Sequence, residues 1–228
     1  MNRSASRFVP ALVAALLLVT GAPAEAKMRI GISGFTGYQS YAMGDINDVI
    51  ADVNEELSQP GDLVQIDELN GDVSFGAGLK ADLDSTWRIY AEYEHLSDNT
   101  GAGNQIGSVT IDVDSETFLV GGTYFLPSSG KARVGFGGGV GYYDFGGELQ
   151  ASGTVGSVPF SGTVDASGTT VGFHVRADLD VRMSQKLHFD AALGYRGATG
   201  DLEVEGVEVG KNLDWSGAMT RVGLTFFL

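Results

Sequence analysis

Hydrophobic and polar residues alternate over long stretches of this chain, as in a β-strand with two different faces. The clearest stretch is 171–182, in which every second residue is apolar and most residues between them are charged. A strand of a soluble sandwich also has one apolar and one polar face. Here the apolar face is long and unbroken and the opposite charges alternate in sign, which favours a wall between lipid and a polar lumen. A soluble β-sandwich remains the alternative, because periodicity alone does not separate the two folds.

Eight stretches of this kind, bounded by turn residues, are found along the chain. They are 28–35, 73–82, 87–97, a stretch that ends at 126, 132–143, 171–182, 187–196 and a last stretch from 218 to 228. Short connections alternate with long ones, as in an outer-membrane barrel with its short turns in the periplasm. The sequence therefore predicts an all-β fold, an eight-stranded antiparallel up-and-down transmembrane β-barrel.

The fourth stretch contains a change of pattern. Val109, Ile111 and Val113 have the opposite parity to Phe118 and the apolar residues after it. An extra residue in one strand shifts all later side chains to the other face. We therefore expect a bulge or a change of face near Ser115.

Aromatic residues on the outward face are expected to form two belts, because aromatic rings favour the lipid–water interfaces. With the short turns at the bottom, the lower belt contains Trp87, Tyr124, Phe189 and Phe226. The upper belt contains Phe75, Tyr93, Phe118, Tyr142, Phe173 and Tyr195. Two separate belts support the barrel more strongly than single outward aromatic residues do.

The chain begins like an export signal, with Arg3 and Arg7, an apolar stretch over 9–18 and the small residues Ala24 and Ala26. We expect residues 1–26 to be a cleaved signal peptide and residues 27–228 to be the barrel domain in the outer membrane. Without the signal, 12 Lys and Arg face 28 Asp and Glu, a net charge of −16, which argues against nucleic acid as a partner. The chain has no cysteine, which excludes disulfides, thiolate metal sites and a lipid anchor on cysteine.

The layout of signal, strands and alternating turns resembles the small outer-membrane barrels of the OmpA/OmpX type. The chain ends Arg-Val-Gly-Leu-Thr-Phe-Phe-Leu, which resembles the C-terminal assembly signal of such proteins through Gly223, Phe226 and Leu228. The last residue of that signal is usually aromatic, and Leu228 departs from it. The resemblance implies outer-membrane lipid and lipopolysaccharide as surroundings and the barrel-assembly machinery as a partner during biogenesis. It implies no particular activity.

The inward face is rich in charged residues of both signs. They are Lys80, Arg88, Glu92, Glu94, Arg133, His174, Arg176, Asp178, Asp180, Arg182, His188, Asp190, Arg196 and Arg221. An eight-stranded barrel is just wide enough for its own side chains to fill it, so we expect a paired, packed lumen and no open channel. A proton or ion pathway is the alternative. Gly135, Gly137, Gly139 and Gly141 are expected to make room for long side chains on the opposite strands or to allow strong coiling of the sheet.

One segment breaks the strand pattern. Ile46, Val49, Ile50 and Val53 recur at helical spacing within 44–57, with acidic residues on the remaining surface. This spacing predicts one short α-helix in the first extracellular loop. Because the polar face lacks the Lys and Arg of interfacial helices, we expect a lid over the barrel mouth; a helix that only closes a long loop is the alternative.

The candidate for catalysis is His95 with Ser97, which share the lipid-facing side of the third strand. The pair resembles the His-x-Ser element of outer-membrane lipid A deacylases, which implies His95 as base and Ser97 as nucleophile. The following residue is Asp98 where that family has Asn, and Asp112, Asp114 and Glu116 are the candidates for the orienting acid.

We therefore expect an outer-membrane barrel with a structural or surface-interaction role, without catalysis, cofactor or metal, and with an unknown extracellular ligand. A lipid A deacylase and a narrow pore or small-ligand binder are the alternatives.

Overall fold

The computed structural model describes residues 28–42, 44, 47–48, 50–51, 54, 66–103, 107–155, 158–204 and 207–228. The predicted signal peptide lies outside these residues. The strands are β1 (Arg29–Ser40), β2 (Gly71–Asp82), β3 (Trp87–Gly103), β4 (Gly107–Phe125), β5 (Ala132–Val155), β6 (Val158–Arg182), β7 (Leu187–Gly197), β8 (Thr199–Val204), β9 (Val207–Asp214) and β10 (Gly217–Phe227).

The strands form one closed antiparallel ring, which confirms the predicted fold. Each strand from β1 to β6 pairs with the next one along the chain, and β10 pairs with both β7 and β1. The hairpin of β8 and β9 extends β7 and β10 beyond the ring, so the wall has eight strands. Among the described residues, no helix is both long enough and apolar enough to span a membrane.

The two ends of the barrel differ in their connections. The short turns 83–86, 126–131 and 183–186 lie at one end, together with the start of β1 and the end of β10. We call this the short-turn end and the opposite one the long-loop end. In the first turn, Oδ1 of Asp84 accepts hydrogen bonds from the backbone N–H groups of Thr86 and Trp87, each at 2.7 Å. Such side-chain caps hold a turn in one conformation.

Several strands extend further than the sequence pattern indicates. β1 continues to Ser40, β3 to Gly103 and β5 to Val155, and β6 begins at Val158. Much of the long connections predicted after the third and fifth strands is therefore sheet. A membrane-spanning strand needs about 9–11 residues, so β4, β5 and β6, with 19, 24 and 25 residues, continue above the membrane-facing band.

The bulge expected near Ser115 is absent. The register of β4 with β3 is constant from Trp87 opposite Tyr124 to Gly103 opposite Ser108, and its register with β5 is constant as well. Val113 is buried and Asp114 is exposed. The parity of the strand does not change; the surroundings do, because the upper interior of the barrel is apolar and its upper exterior faces water.

Glycines on the inner face leave space for large side chains. A Cβ at Gly121 would lie 2.4 Å from the hydroxyl oxygen of Tyr90, and a Cβ at Gly141 would lie 2.8 Å from the ring of Tyr143. At Gly139 the nearest atom is the backbone oxygen of Val120, at 2.0 Å. Some of these glycines therefore make room for aromatic rings, and others allow the backbones themselves to approach closely.

Candidate functional site

The outer wall carries a continuous apolar band. Large side chains that would be buried in a soluble protein are exposed here, such as Val171 at 71% and Leu193 at 62%. Others in the same band are Ile32, Val140, Val175, Val222 and Leu224. A monomeric soluble protein rarely exposes a contiguous apolar surface of this extent, whereas a barrel wall in hydrocarbon requires one.

Aromatic residues flank this band at both ends. At the short-turn end, Trp87 and Tyr124 face each other across β3 and β4, with ring centroids 5.2 Å apart. Phe189, Phe136 and Phe226 lie on other strands of the same belt. Towards the long-loop end, Phe118 pairs with Tyr93 on one side and with Tyr142 on the other. Phe75, Phe173, Tyr195 and Tyr38 extend this upper belt, and Tyr38 lies in the part of β1 that the sequence interpretation left out.

Inside the barrel, one ion-pair cluster lies near the short-turn end. Arg88 is its centre and contacts Asp82 at 2.7 Å, Asp180 at 2.7 Å and Asp190 at 3.1 Å. Arg133 bridges two of the same carboxylates, at 2.8 Å from Asp82 and 3.1 Å from Asp180. Four further contacts complete the cluster, and they join Lys80 to Asp190, His188 to Asp180, Thr225 to Asp190 and Arg133 to the carbonyl of Ser85.

A second cluster lies above the first. Glu92 accepts hydrogen bonds from Arg176 at 2.7 Å and from Arg221 at 2.8 Å. Arg221 also contacts Glu94, and Arg176 contacts Asp178 at 3.1 Å. Because each buried charge has a partner of opposite sign, the cost of removing these groups from water is offset by pairing.

Not every predicted lumen residue joins these clusters. Arg182 is exposed at the end of β6 and forms no ion pair with another described residue, so it does not belong to the network that the structure describes. Arg196 is buried and donates from Nε to the carbonyl oxygen of Trp215 at 3.0 Å. His174 contacts the hydroxyl of Tyr90 at 2.7 Å.

The sequence interpretation missed several members of the network. Asp82 bridges two arginines, and Thr123 donates to Asp178 at 2.8 Å. The alternation along β2 places Asp82 on the same inward face as Lys80, and this alternation alone is sufficient to predict Asp82 as a lumen residue. Thr123 and Thr225 have the parity of inward residues too, but uncharged side chains give no signal of pairing by themselves.

Aromatic rings close the lumen below the first cluster. Phe125 and Phe227 are fully buried, and the guanidinium of Arg133 lies 4.1 Å from the centre of the Phe125 ring. Arg29 lies 4.3 Å from the centre of the Phe227 ring. Stacking of this kind covers one face of each guanidinium, while the donors of Arg133 reach carboxylates and Nη2 of Arg29 donates to the carbonyl oxygen of Gln185 at 2.8 Å.

An apolar plug fills the lumen towards the long-loop end. It is formed by Tyr41, Ile50, Ile66, Leu69, Leu96, Val113, Leu119, Tyr143, Phe145, Ala198 and Trp215. Trp215 is its centre, with ring centroids 5.0 Å from Tyr41 and 5.3 Å from Phe145. Tyr41 donates a hydrogen bond to Asp98, and burial together with this carboxylate raises the pKa of Tyr41, which keeps the phenol protonated.

Part of the first loop belongs to this plug. Residues 44, 47, 48, 50, 51 and 54 are helical, and the other residues of the predicted helix over 44–57 lie outside the described ones. Asn47 exchanges two hydrogen bonds with the backbone of Leu69, at 3.0 and 2.9 Å, and Asn54 does the same with Ile66, at 2.9 and 2.8 Å. These amides fix the helical residues to the returning chain, so that Ile50 packs inside the barrel mouth.

The space left between the clusters is small. The cavity lined by Lys80, Glu92, Arg176 and Arg221 measures about 20 Å³. One water molecule needs about 10–15 Å³ on this measure. The charged section of the lumen therefore has no room for a continuous column of water beside these residues.

The candidate catalytic pair lies outside the lumen. His95 and Ser97 are both exposed on the outer face of β3, above Tyr93. Opposite them on β4 stand Glu116, which pairs with His95, and Asp114, which pairs with Ser97. The carboxylate of Glu116 interacts electrostatically with the hydroxyl of Tyr93, and among the described residues no hydrogen bond joins His95 to Ser97 or to an acid. Asp112 pairs with Asn99 further along the strand.

Acidic side chains on the outer face of β4 continue onto its neighbours. Glu148 and Asp144 on β5 stand opposite Asp112 and Glu116. Within the described part of the chain, no three His, Cys, Asp or Glu side chains are arranged to hold a metal ion.

At the end of the chain, Phe226 is 48% and Leu228 73% exposed, and Gly223 lies beside Phe35 with no room for a Cβ. The two apolar side chains of the predicted assembly signal thus lie on the outer wall.

These features define a closed eight-stranded β-barrel with an apolar outer wall and a filled, charged interior. No protein-family model and no curated protein sequence matches this chain. Among solved structures, it is similar to the N-terminal β-barrel domain of Pseudomonas aeruginosa OprF, at 9% identity over 88% of this chain and 97% of that one, with a TM-score of 0.42. Ail, the attachment invasion locus protein of Yersinia pestis, is 10% identical over 88% of this chain and 97% of its own, with a TM-score of 0.40.

The outer membrane protein AlkL, solved in DMPC lipid bilayers, is 12% identical over 91% of this chain and 94% of that one, with a TM-score of 0.42. All three scores are below 0.5, so the barrel assignment rests on the strand register and the two faces of this chain itself.

Proposed function

We propose that this protein is an integral outer-membrane barrel that does not conduct and that acts through its wall and its long-loop end, as a structural or surface-interaction protein. The observation that carries the proposal is the filled lumen. Two ion-pair clusters occupy its lower part and the apolar plug occupies its upper part. A transport path would need space that these side chains take up.

The wall supports the membrane location. An apolar band between two aromatic belts matches a bilayer, and the short turns are suited to the periplasmic side, which leaves β3 to β6 projecting outwards. In this orientation the exposed strands carry many acidic residues, and lipopolysaccharide surrounds the upper part of the wall. Folding by the barrel-assembly machinery, guided by Gly223, Phe226 and Leu228, is part of the same proposal.

Conductance measurements test the proposal. Purified protein inserted in planar bilayers should give no single-channel steps at an applied potential of about 100 mV, which drives each elementary charge by about 2.3 kcal/mol, while a porin in the same membrane conducts. Regular steps from the purified protein, abolished by heat unfolding, would contradict it and support a narrow pore.

The deacylase alternative has a separate test. Lipid A from cells that express the protein should have the same mass as lipid A from cells without it. A loss of one acyl chain that disappears in the Ser97→Ala variant, but not in a Ser108→Ala variant, would establish the enzyme instead. Ser108 is a suitable control because it is also exposed, but higher on the extension.

A further inference from the structure

His174 is a buried titratable residue of the lumen that forms no ion pair with another described residue. It is 1% exposed on the inner face of β6, and its ring nitrogen Nε2 lies 2.7 Å from the hydroxyl of Tyr90. The other ring nitrogen, Nδ1, is buried and has no hydrogen-bond partner among the described residues. A protonated imidazole carries an N–H on both nitrogens. The charged ring would therefore bury a cationic N–H without an acceptor, which costs more than an unpaired neutral group.

The charged groups nearest to His174 are mostly positive. Arg176, the next inward residue of the same strand, and Arg221 on β10 act on His174 electrostatically, together with one carboxylate, that of Glu92. Glu92 already accepts a hydrogen bond from each of these two arginines, at 2.7 and 2.8 Å. A proton on His174 would thus add a third cation beside a carboxylate that is already shared by two.

The strands on either side of β6 do not provide another acid. Gly139 of β5 and Arg196 of β7 stand opposite His174, and Nε of Arg196 donates to the carbonyl oxygen of Trp215 at 3.0 Å. The charges in this section of the lumen are already balanced, with Glu92, Glu94 and Asp178 against Arg176, Arg196 and Arg221. An imidazolium at this position would be a fourth cation for three carboxylates.

The second buried histidine has different surroundings. Nδ1 of His188 lies 2.9 Å from Oδ1 of Asp180, so a proton on that ring is held by a charge-assisted hydrogen bond. His174 contacts a phenol where His188 contacts a carboxylate. Acid is therefore expected to disturb the lumen at His174 and not at His188.

Tyr90 connects His174 to the second ion-pair cluster. Its hydroxyl contacts His174, and the guanidinium carbon of Arg176 lies 3.7 Å from the centre of its ring. Arg176 in turn contacts Glu92 at 2.7 Å. Because a packed interior transmits small displacements, a movement of His174 reaches this ion pair through one aromatic side chain.

We propose that His174 is an acid-sensitive switch of the lumen, in which protonation of the imidazole repels Arg176 and Arg221 and loosens the second cluster. Opening exposes the ring to water, where an ordinary imidazole takes up a proton below about pH 6.5. The opened state then binds one proton more than the closed state, so the closed state loses stability as the pH falls. At neutral pH the lumen stays closed, as the proposed function requires, so a failure of the switch leaves the non-conducting barrel unaffected.

The protonation state of the ring is tested directly by nitrogen NMR of the mature protein, labelled with ¹⁵N-histidine, in nanodiscs of phosphatidylcholine. The chain has only 3 His, and His→Gln variants at each position assign the signals. At about pH 5.5, where about nine-tenths of a free imidazole is protonated, the ring of His174 in the folded barrel should still give the shifts of a neutral imidazole. A blocked histidine in the same buffer is the reference. A protonated His174 ring in the folded barrel at this pH would overturn the proposal.

Urea unfolding in phosphatidylcholine vesicles, at about pH 7.5 and about pH 5, measures the consequence. A ring that is protonated only after opening raises the unfolding equilibrium constant about 30-fold between these two conditions. Other groups add their own pH dependence, so the parent is compared with His174→Gln, in which the acid-induced rise should be smaller by about this factor. Glutamine still offers a polar group to the hydroxyl of Tyr90.

The matched control is His95→Gln, which removes an exposed imidazole from the outer face of β3. Its acid-induced rise should stay within about twofold of the parent's, because that ring is in contact with water before and after unfolding. If the rise is equal in the parent and in His174→Gln, or is reduced as much by His95→Gln as by His174→Gln, His174 is not the switch.

Discussion

At the scale of single residues, the stability of the lumen depends on charges that have no access to water. Arg88 is 2% exposed and forms ion pairs with three carboxylates, those of Asp82, Asp180 and Asp190. Removing one partner of a buried ion pair costs more than the pair contributes, because the other charges stay buried without a partner.

The Arg88→Met variant should therefore lose about 3–5 kcal/mol of the free energy of unfolding. Unfolding by urea in lipid vesicles, followed by tryptophan fluorescence, measures this loss. Arg182→Met is the matched control, since Arg182 is exposed and unpaired among the described residues, and it should stay within about 0.5 kcal/mol of the parent. Equal losses in both variants would argue against the ion-pair cluster.

Close packing at Gly121 gives a second prediction at this scale. A Cβ there would lie 2.4 Å from the hydroxyl of Tyr90 and 2.5 Å from the backbone oxygen of Gly138. Gly121→Ala should cost about 1–3 kcal/mol, as overpacking generally does. Gly34→Ala is the control, because nothing lies within 4 Å of its Cβ position. The same urea unfolding compares the two, and a neutral Gly121→Ala would show that the strands are further apart.

At the scale of strands, β4 keeps the same alternation of inward and outward side chains along its length, while the surroundings of both faces change. Its lower part has lipid outside and charge inside, whereas its upper part has water outside and the apolar plug inside. Val113 is 2% exposed inside the plug, and Asp114 faces outwards. The sequence shows this as a reversed pattern, which predicts a bulge or a change of face.

Exchange of these neighbours tests the interpretation. Val113→Asp buries a carboxylate without a partner and should destabilise the upper extension by about 3 kcal/mol or more. Asp114→Val should stay within about 0.5 kcal/mol, because its side chain is exposed. Amide hydrogen exchange of Leu96 and Tyr143, on the neighbouring strands, measures the local opening. The opposite order of effects would mean that β4 does change face.

At the scale of the whole molecule, the barrel has its two tryptophans in contrasting environments. The chain contains 2 Trp. Trp87 is 48% exposed in the lower belt, and Trp215 is 1% exposed in the centre of the plug. A lipid-facing wall and a filled lumen predict different neighbours for each of them.

Brominated phospholipids provide the measurement, because bromine quenches only the tryptophans that it contacts. The Trp215→Phe variant, which keeps Trp87, should be quenched strongly in brominated vesicles. The Trp87→Phe variant, which keeps Trp215, should be quenched weakly by bromine and by aqueous acrylamide. Weak bromine quenching of Trp87 in a folded protein would contradict a bilayer around this wall, as would a protein that stays monodisperse without detergent.

The strand count, the two faces of each strand and the charged interior follow from the residue order alone, because a strand repeats every two residues. The surroundings of each face depend on how the strands are arranged in the closed ring. Only the closed ring brings Arg88 to carboxylates on three other strand segments, and only the folded first loop places Ile50 in the mouth. The same arrangement leaves Arg182 outside the ion-pair network and places Asp82 inside it. Partners across a barrel depend on stagger between distant strands, which local periodicity does not encode.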